Sequence, residues 1–216
     1  MRYGLSILLA FCIFTLVTFI SCSKSPVTKS DRNQAEIKVL STTKIIGDLV
    51  EAIGGDLINH TVLVGTNLDP HSYELVKGDD EKVFNAHIIF FNGLNLEHGF
   101  SLKDCLTKHR NAYAIGDLVY SDNKEKFIRC NGALDPHFWM DVSLFSKSIP
   151  YIVEILTRYA PEHANTFSAN GKRLTEKLKH LDQFILSKMR QIPEEKRYLV
   201  SSHDAYFYFT RRYLAE

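Results

Sequence analysis

The sequence predicts an α/β protein: an N-terminal lobe on a parallel sheet with flanking helices, a long linking helix, and an incomplete second α/β lobe. Three observations predict it. Short apolar runs rich in β-branched residues alternate with segments of helical period from residue 37 to residue 142. From Val142 to about Met189 the pattern is nearly all helical. A strand-like run, RYLVSSH, then opens at Arg197, and the sequence ends soon after it.

The elements follow in order. IKVLS, 37–41, is a short buried strand. In TTKIIGDLVEAIGG, Ile45, Ile46, Leu49, Val50 and Ile53 recur at helical spacing; Thr42 or Thr43 caps the start and Gly54-Gly55 stops it. INHTVLVG is a second strand and DDEKVFNA a short helix. HIIFFNG, 87–93, is a third strand. LNLEHGFSLKDCLTKH reads as helical, and NAYAIGD holds a fourth strand. This alternation implies a parallel sheet covered on both faces, with ligands at the carboxyl ends of the strands. Residues 143–195 form the linking helical segment. Leu174, Leu178, Leu181, Ile185 and Met189 share one face of it. Pro161 suits a first turn, Gly171 weakens the middle, and Pro193 ends the segment. RYLVSSH, 197–203, is a further strand and DAYFYFTRRYLAE the start of its helix. One strand and part of one helix cannot bury their own apolar faces, so Tyr206, Phe207, Tyr208, Phe209 and Tyr213 need a partner surface. Residues 196–216 therefore read as the start of a truncated C-terminal lobe.

Residues 1–21 have the form of a secretory signal: a short positive start, an apolar run from Leu5 to Ile20, then an abrupt change to SKSPVTKSDRNQAE. The run is short for a membrane span, which takes about 20 residues. Cys22, just after a small residue, resembles a bacterial lipobox and implies lipidation of its thiol, although Phe19 stands where such boxes carry an aliphatic residue. A signal anchor left in place is the alternative. Residues 22–36 then form a polar tether. With Cys12 lost with the signal and Cys22 lipidated, Cys105 and Cys130 remain, either bridged or as two small buried thiols. Lys and Arg number 26 against 25 Asp and Glu, so no bulk charge draws nucleic acid, and no basic stripe does so either.

Asp-Pro-His occurs twice, at Asp69-Pro70-His71 and Asp135-Pro136-His137. Imidazole is the commonest transition-metal ligand and binds when neutral. The proline restrains the backbone before each histidine. Asp69 and Asp135 can accept from the backbone or from the second ring nitrogen. His203 follows a strand-like run in the same manner. Spacing alone does not join the three histidines.

Five stretches together are similar to one family: VLVGTNLDPHSYE, NGLNLEHGF, LDPHFWMD, the long helix and YLVSSHDAYFYF. With Cys22 they resemble the TroA-like metal-binding solute-binding lipoproteins of bacterial ABC transporters for zinc, manganese or iron, over nearly all of residues 37–216. The resemblance implies two α/β lobes joined by one rigid helix with a divalent metal between them. It places metal ligands at His71 and His137 in the first lobe and His203 in the second. It also implies an ABC permease as partner, an extracytoplasmic location, and membrane attachment through the lipid on Cys22. The likeness is to the chlamydial type, with three histidines and one aspartate. The departure is the fourth ligand, a carboxylate from late in the second lobe, which no Asp or Glu here matches. Three nitrogens without it favour zinc over manganese.

Other readings stay open at this stage. Glu97-His98 is a candidate second metal position, set against a solvated helix. His60, His87, His109, His163 and His180 share no pattern and read as structural or surface residues. Three histidines with an open fourth position also have the form of an exported zinc hydrolase, with Glu74 or Asp204 as base, but HExxH and GxSxG are both absent. An inactive remnant or surface adhesion module is the third reading.

Overall fold

The computed structural model describes residues 37–215 except Asn131. The signal, Cys22 and the tether lie outside the described residues. Four parallel strands form the sheet: β1 (Ile37–Ser41), β2 (Ile58–Val62), β3 (Ile88–Phe91) and β4 (Ala112–Ala114), in the order β2-β1-β3-β4. Val39 lies opposite His60 on one side and Ile88 on the other. Helices α1 (Lys44–Gly54), α2 (Asp79–Asn85) and α3 (Phe100–Lys108) make the crossovers, and α4 (Ile115–Asp122) follows β4. Thr43 caps α1, its hydroxyl accepting from the Ile46 N–H.

The central strands β1 and β3 are largely apolar because both faces are covered, whereas the edge strand β2 exposes Asn59 and Thr61. Val39, Ile88 and Phe90 join one core with α1 and the helices that follow the sheet, while Leu40 and Ile89 join another with Leu63, Val83, Leu102 and Leu106. A small hairpin, β5 (Arg129–Cys130) and β6 (Ala133–Leu134), leads into the second Asp-Pro-His.

The helical segment comes in three pieces: α5 (Val142–Phe145), α6 (Ser148–Tyr159) and α7 (Ala164–Met189). Pro161 opens a 3-10 turn before α7. Gly171 has a packing role instead of a weakening one. A Cβ there would stand 2.7 Å from Val153 Cγ2, so glycine lets α6 and α7 approach closely. Leu174 and Leu178 pack on the core, whereas Leu181 is exposed.

Two expectations need correction, and one open alternative is decided. No helix starts at Leu94: Gly93, Leu94 and Asn95 take left-handed backbone with φ of 73, 54 and 62°, and α3 begins at Phe100. RYLVSSH forms no strand, because a strand needs a neighbour for its hydrogen bonds and no described segment supplies one; Tyr198 and Val200 stand exposed. Cys105 and Cys130 are free thiols. Cys105 packs on the α2–α3 side of the sheet, while Cys130 sits on the hairpin leading to Asp135, so the two do not meet.

The final aromatics do find a surface. Helix α8 (Phe207–Phe209) runs on into a π-helical turn, Thr210–Leu214. Tyr208 and Tyr213 are fully buried, although Tyr206 and Phe207 remain partly exposed. The Tyr208 hydroxyl donates to the Asp135 carbonyl at 3.0 Å and accepts from the Ile128 N–H at 3.1 Å. Tyr213 donates to the buried Asp182 carboxylate of α7 at 2.8 Å, and Arg212 binds it with two nitrogens.

Candidate metal centre

Loops at the carboxyl ends of the strands build the site. The loop after β2 carries His71, and three contacts hold it. The Glu74 carboxylate accepts from the Phe100 and Ser101 N–H groups, both at 2.7 Å, and so caps the start of α3. The Leu75 N–H donates to the Ser101 hydroxyl, and Tyr73 donates to the buried Asp79 at 2.6 Å. That bond, together with desolvation, pushes the Tyr73 phenol up to about 12. Gly99 lets the loop lie this close, since a Cβ would meet the Tyr73 carbonyl oxygen at 2.0 Å. Glu74 thus spends both oxygens on α3, which removes it as a general base at the histidines.

The repeated tripeptide works as a turn. Asp69 accepts from the His71 N–H at 2.9 Å, and Asp135 accepts from the His137 N–H at 3.0 Å. Each carboxylate closes a local turn across a proline that has no N–H of its own. The two then diverge. Asp69 is exposed and also takes the Ser72 hydroxyl, so it shapes the turn and not the His71 ring. Asp135 is buried, and the same Oδ1 lies 2.7 Å from His137 Nδ1. The proton then sits on Nδ1, leaving the Nε2 lone pair free. Asp135 Oδ2 is buried with no partner.

The free nitrogens converge. His71 Nε2 lies 3.1 Å from His137 Nε2, and His203 Nε2 lies 3.2 Å from it. One nitrogen from each of the three falls within 4.8 Å of the others. Metal–nitrogen bonds of about 2.0–2.1 Å in a tetrahedron set ligand nitrogens about 3.3 Å apart. The three imidazoles therefore have the spacing of ligands around one transition-metal ion. His137 is buried, His71 half-buried and His203 exposed, so the cluster opens toward the His203 side. Burial, then the neighbouring His137, pulls the His71 pKa below its ordinary value. That favours the neutral, ligating form. The ring of Trp139 stands edge-on to His137, with centroids 5.1 Å apart.

Sequence reasoning missed the support beneath the cluster. Glu97 is buried, and burial raises its pKa. It accepts from the Thr42 hydroxyl at 2.7 Å and from the Asn92 and Gly93 N–H groups at 2.8 and 3.1 Å. The Asn92 side chain donates to the Pro136 carbonyl at 3.1 Å, which ties the end of β3 to the second tripeptide. Glu97 thus faces inward and cannot share a metal with the exposed His98. The only advance signal was an acidic residue within NGLNLEHGF. Of the other histidines, His60 bonds Ser41, and His87 accepts from the Lys38 N–H, both structural contacts.

Comparisons with known proteins show the family of the chain. The ZnuA family, described as zinc-uptake complex component A, periplasmic, matches residues 39–216. The metal-binding protein YtgA of Chlamydia pneumoniae is 36% identical over 95% of this chain and 62% of its own length. The manganese-binding lipoprotein MntA of Bacillus subtilis is 32% identical over 99% of this chain and 68% of its own. The crystal structure of Fe(III)-bound YtgA from Chlamydia trachomatis superposes with a TM-score of 0.81 and 35% identity, covering 84% of this chain and 64% of that one. The chain thus spans about two thirds of the length of the relatives it matches.

Proposed function

Because the chain belongs to the ZnuA family of periplasmic metal-uptake components, we propose that it captures a divalent transition metal outside the membrane and presents it to an ABC-transporter permease. The convergence of three imidazole nitrogens carries this reading. His71, His137 and His203 are the ligands, and Asp135 orients the His137 ring. Asp69 supports the His71 backbone. The ion is the cargo, and the protein performs no reaction on it. Zinc, manganese and iron are the candidates, as in the names of its relatives. The three imidazole nitrogens among the described residues suit zinc and iron, while manganese leans to oxygen donors. Cys22 carries the lipid that holds the protein to the membrane surface.

A melt of residues 23–216 tests the reading, with and without zinc or manganese, beside the His71→Ala/His137→Ala double variant. A ligand that binds only the native state raises the melting temperature by mass action. A rise in the unaltered chain and none in the double variant is the expected result. An equal rise in both, or none in either, would refute the reading.

A further inference from the structure

His98 stands beside the cluster without belonging to it. Its ring centroid lies 5.6 Å from that of His71, close to the 5.4 Å between His71 and His203. Yet it is not among the three residues whose nitrogens converge. The side chain is exposed, and its one hydrogen-bond contact among the described residues is a long one, Nδ1 to the Asn95 carbonyl at 3.3 Å. With the proton on Nδ1, the Nε2 lone pair is available to a cation. The loop that presents it is fixed. Three consecutive residues, Gly93 to Asn95, hold left-handed backbone, and Glu97 and Asp117 accept from the Gly93 and Leu94 N–H groups. A non-glycine residue such as Leu94 keeps that backbone only where its surroundings impose it.

A cavity of about 490 Å³ is lined by His98, His71, Asp117 and Arg129, among others. Asp117 supplies its negative charge. Arg129, bonded to the Gly132 carbonyl and the Tyr120 hydroxyl, supplies a positive one. A cation is thus drawn toward His98 and Asp117, but Arg129 opposes its staying. Such a position suits passage more than storage.

We infer that His98, with the Asp117 carboxylate nearby, is a transient ligand that takes an incoming divalent transition metal from water and passes it to His71 and the buried His137. This rests on the capture reading above. A ligand on the path differs from one in the final site in a measurable way. It speeds arrival and departure by the same factor and leaves the equilibrium unchanged.

Trp139 is the chain's one tryptophan, and its contact with His137 makes its emission a reporter of arrival. Zinc is mixed with the unaltered chain and with His98→Ala by stopped flow, and the loaded proteins are then mixed with excess chelator. Loss of a steering ligand should slow association by about tenfold. Release should slow by the same factor, and the zinc-dependent melting shift should match that of the unaltered chain. His98→Leu, which keeps an exposed side chain of similar reach but has no donor nitrogen, should slow both steps to the same degree. The melting temperatures without metal check that both variants fold. Unchanged rates, or slower association with no slower release, would overturn the inference alone. An unaltered chain with no zinc response would overturn the capture reading, and this inference with it.

Discussion

Asp69 and Asp135 hold the same place in two copies of one tripeptide, but only Asp135 reaches an imidazole. Partners of this kind typically account for 10- to 100-fold in metal affinity. Asp135→Asn should therefore weaken zinc binding by about 10- to 100-fold, measured by competition with a chromophoric chelator. Asp69→Asn should cost clearly less, because it loses a turn contact at an exposed position. Equal losses would show that both aspartates act through the backbone alone. The tripeptides were legible in the sequence, and so was their shared turn-forming proline. Which aspartate also grips a ring was not, since that depends on which loop the hairpin and Tyr208 bury. Protonation gives a second prediction at this scale. The folded pKa of His71 lies below the unfolded value of 6.5, so protonation favours the unfolded chain. Stability without metal should fall as pH drops below about 6.5 toward the lower folded value. Denaturant melts from pH 7.5 to 5 check this, and His71→Ala should flatten the decline.

The alternation of strands and helices showed itself because period is a property of several residues at once, and four parallel strands appear where apolar β-branched runs predicted them. Two segments escaped. The stretch from Leu94 to Gly99 keeps apolar residues at near-helical spacing, yet the carboxylates of buried Glu97 and of Asp117 hold its start in left-handed backbone. RYLV has the composition of a buried strand, but composition cannot provide the neighbouring strand. Gly99 marks where the His71 loop meets α3. Its Cβ would collide with the backbone oxygen of Tyr73, which cannot swing aside as a side chain would. Gly99→Ala should destabilise the fold by about 1–3 kcal/mol, the usual cost of overpacking. It should also weaken zinc binding, because the displaced loop carries His71. Unchanged stability in a urea melt would mean that the loop shifts freely and does not hold His71.

At the scale of the whole molecule, the last described residues bind back onto the helical segment and the hairpin. Asp182 is the centre of that attachment, holding Tyr213 and Arg212 to α7. Asp182→Ala leaves the buried Tyr213 hydroxyl short of a partner and should cost about 1–3 kcal/mol. Zinc affinity should fall as well, since His203 lies just before this anchored stretch. A variant that melts lower but binds zinc as tightly as before would separate the anchor from the site. The need of these aromatics for a surface was readable from composition, while the surface itself was not. It is made by residues far away in sequence.

Asp135 offers its carboxylate to His137 and its carbonyl to Tyr208, so one residue sits between the most buried imidazole of the cluster and the tail. Coupling of this kind runs equally in both directions. An ion that tightens His137 clamps the tail by the same free energy. On the proposed capture function, whatever pulls the tail away should loosen the ion, which makes Tyr208 the predicted handle for unloading.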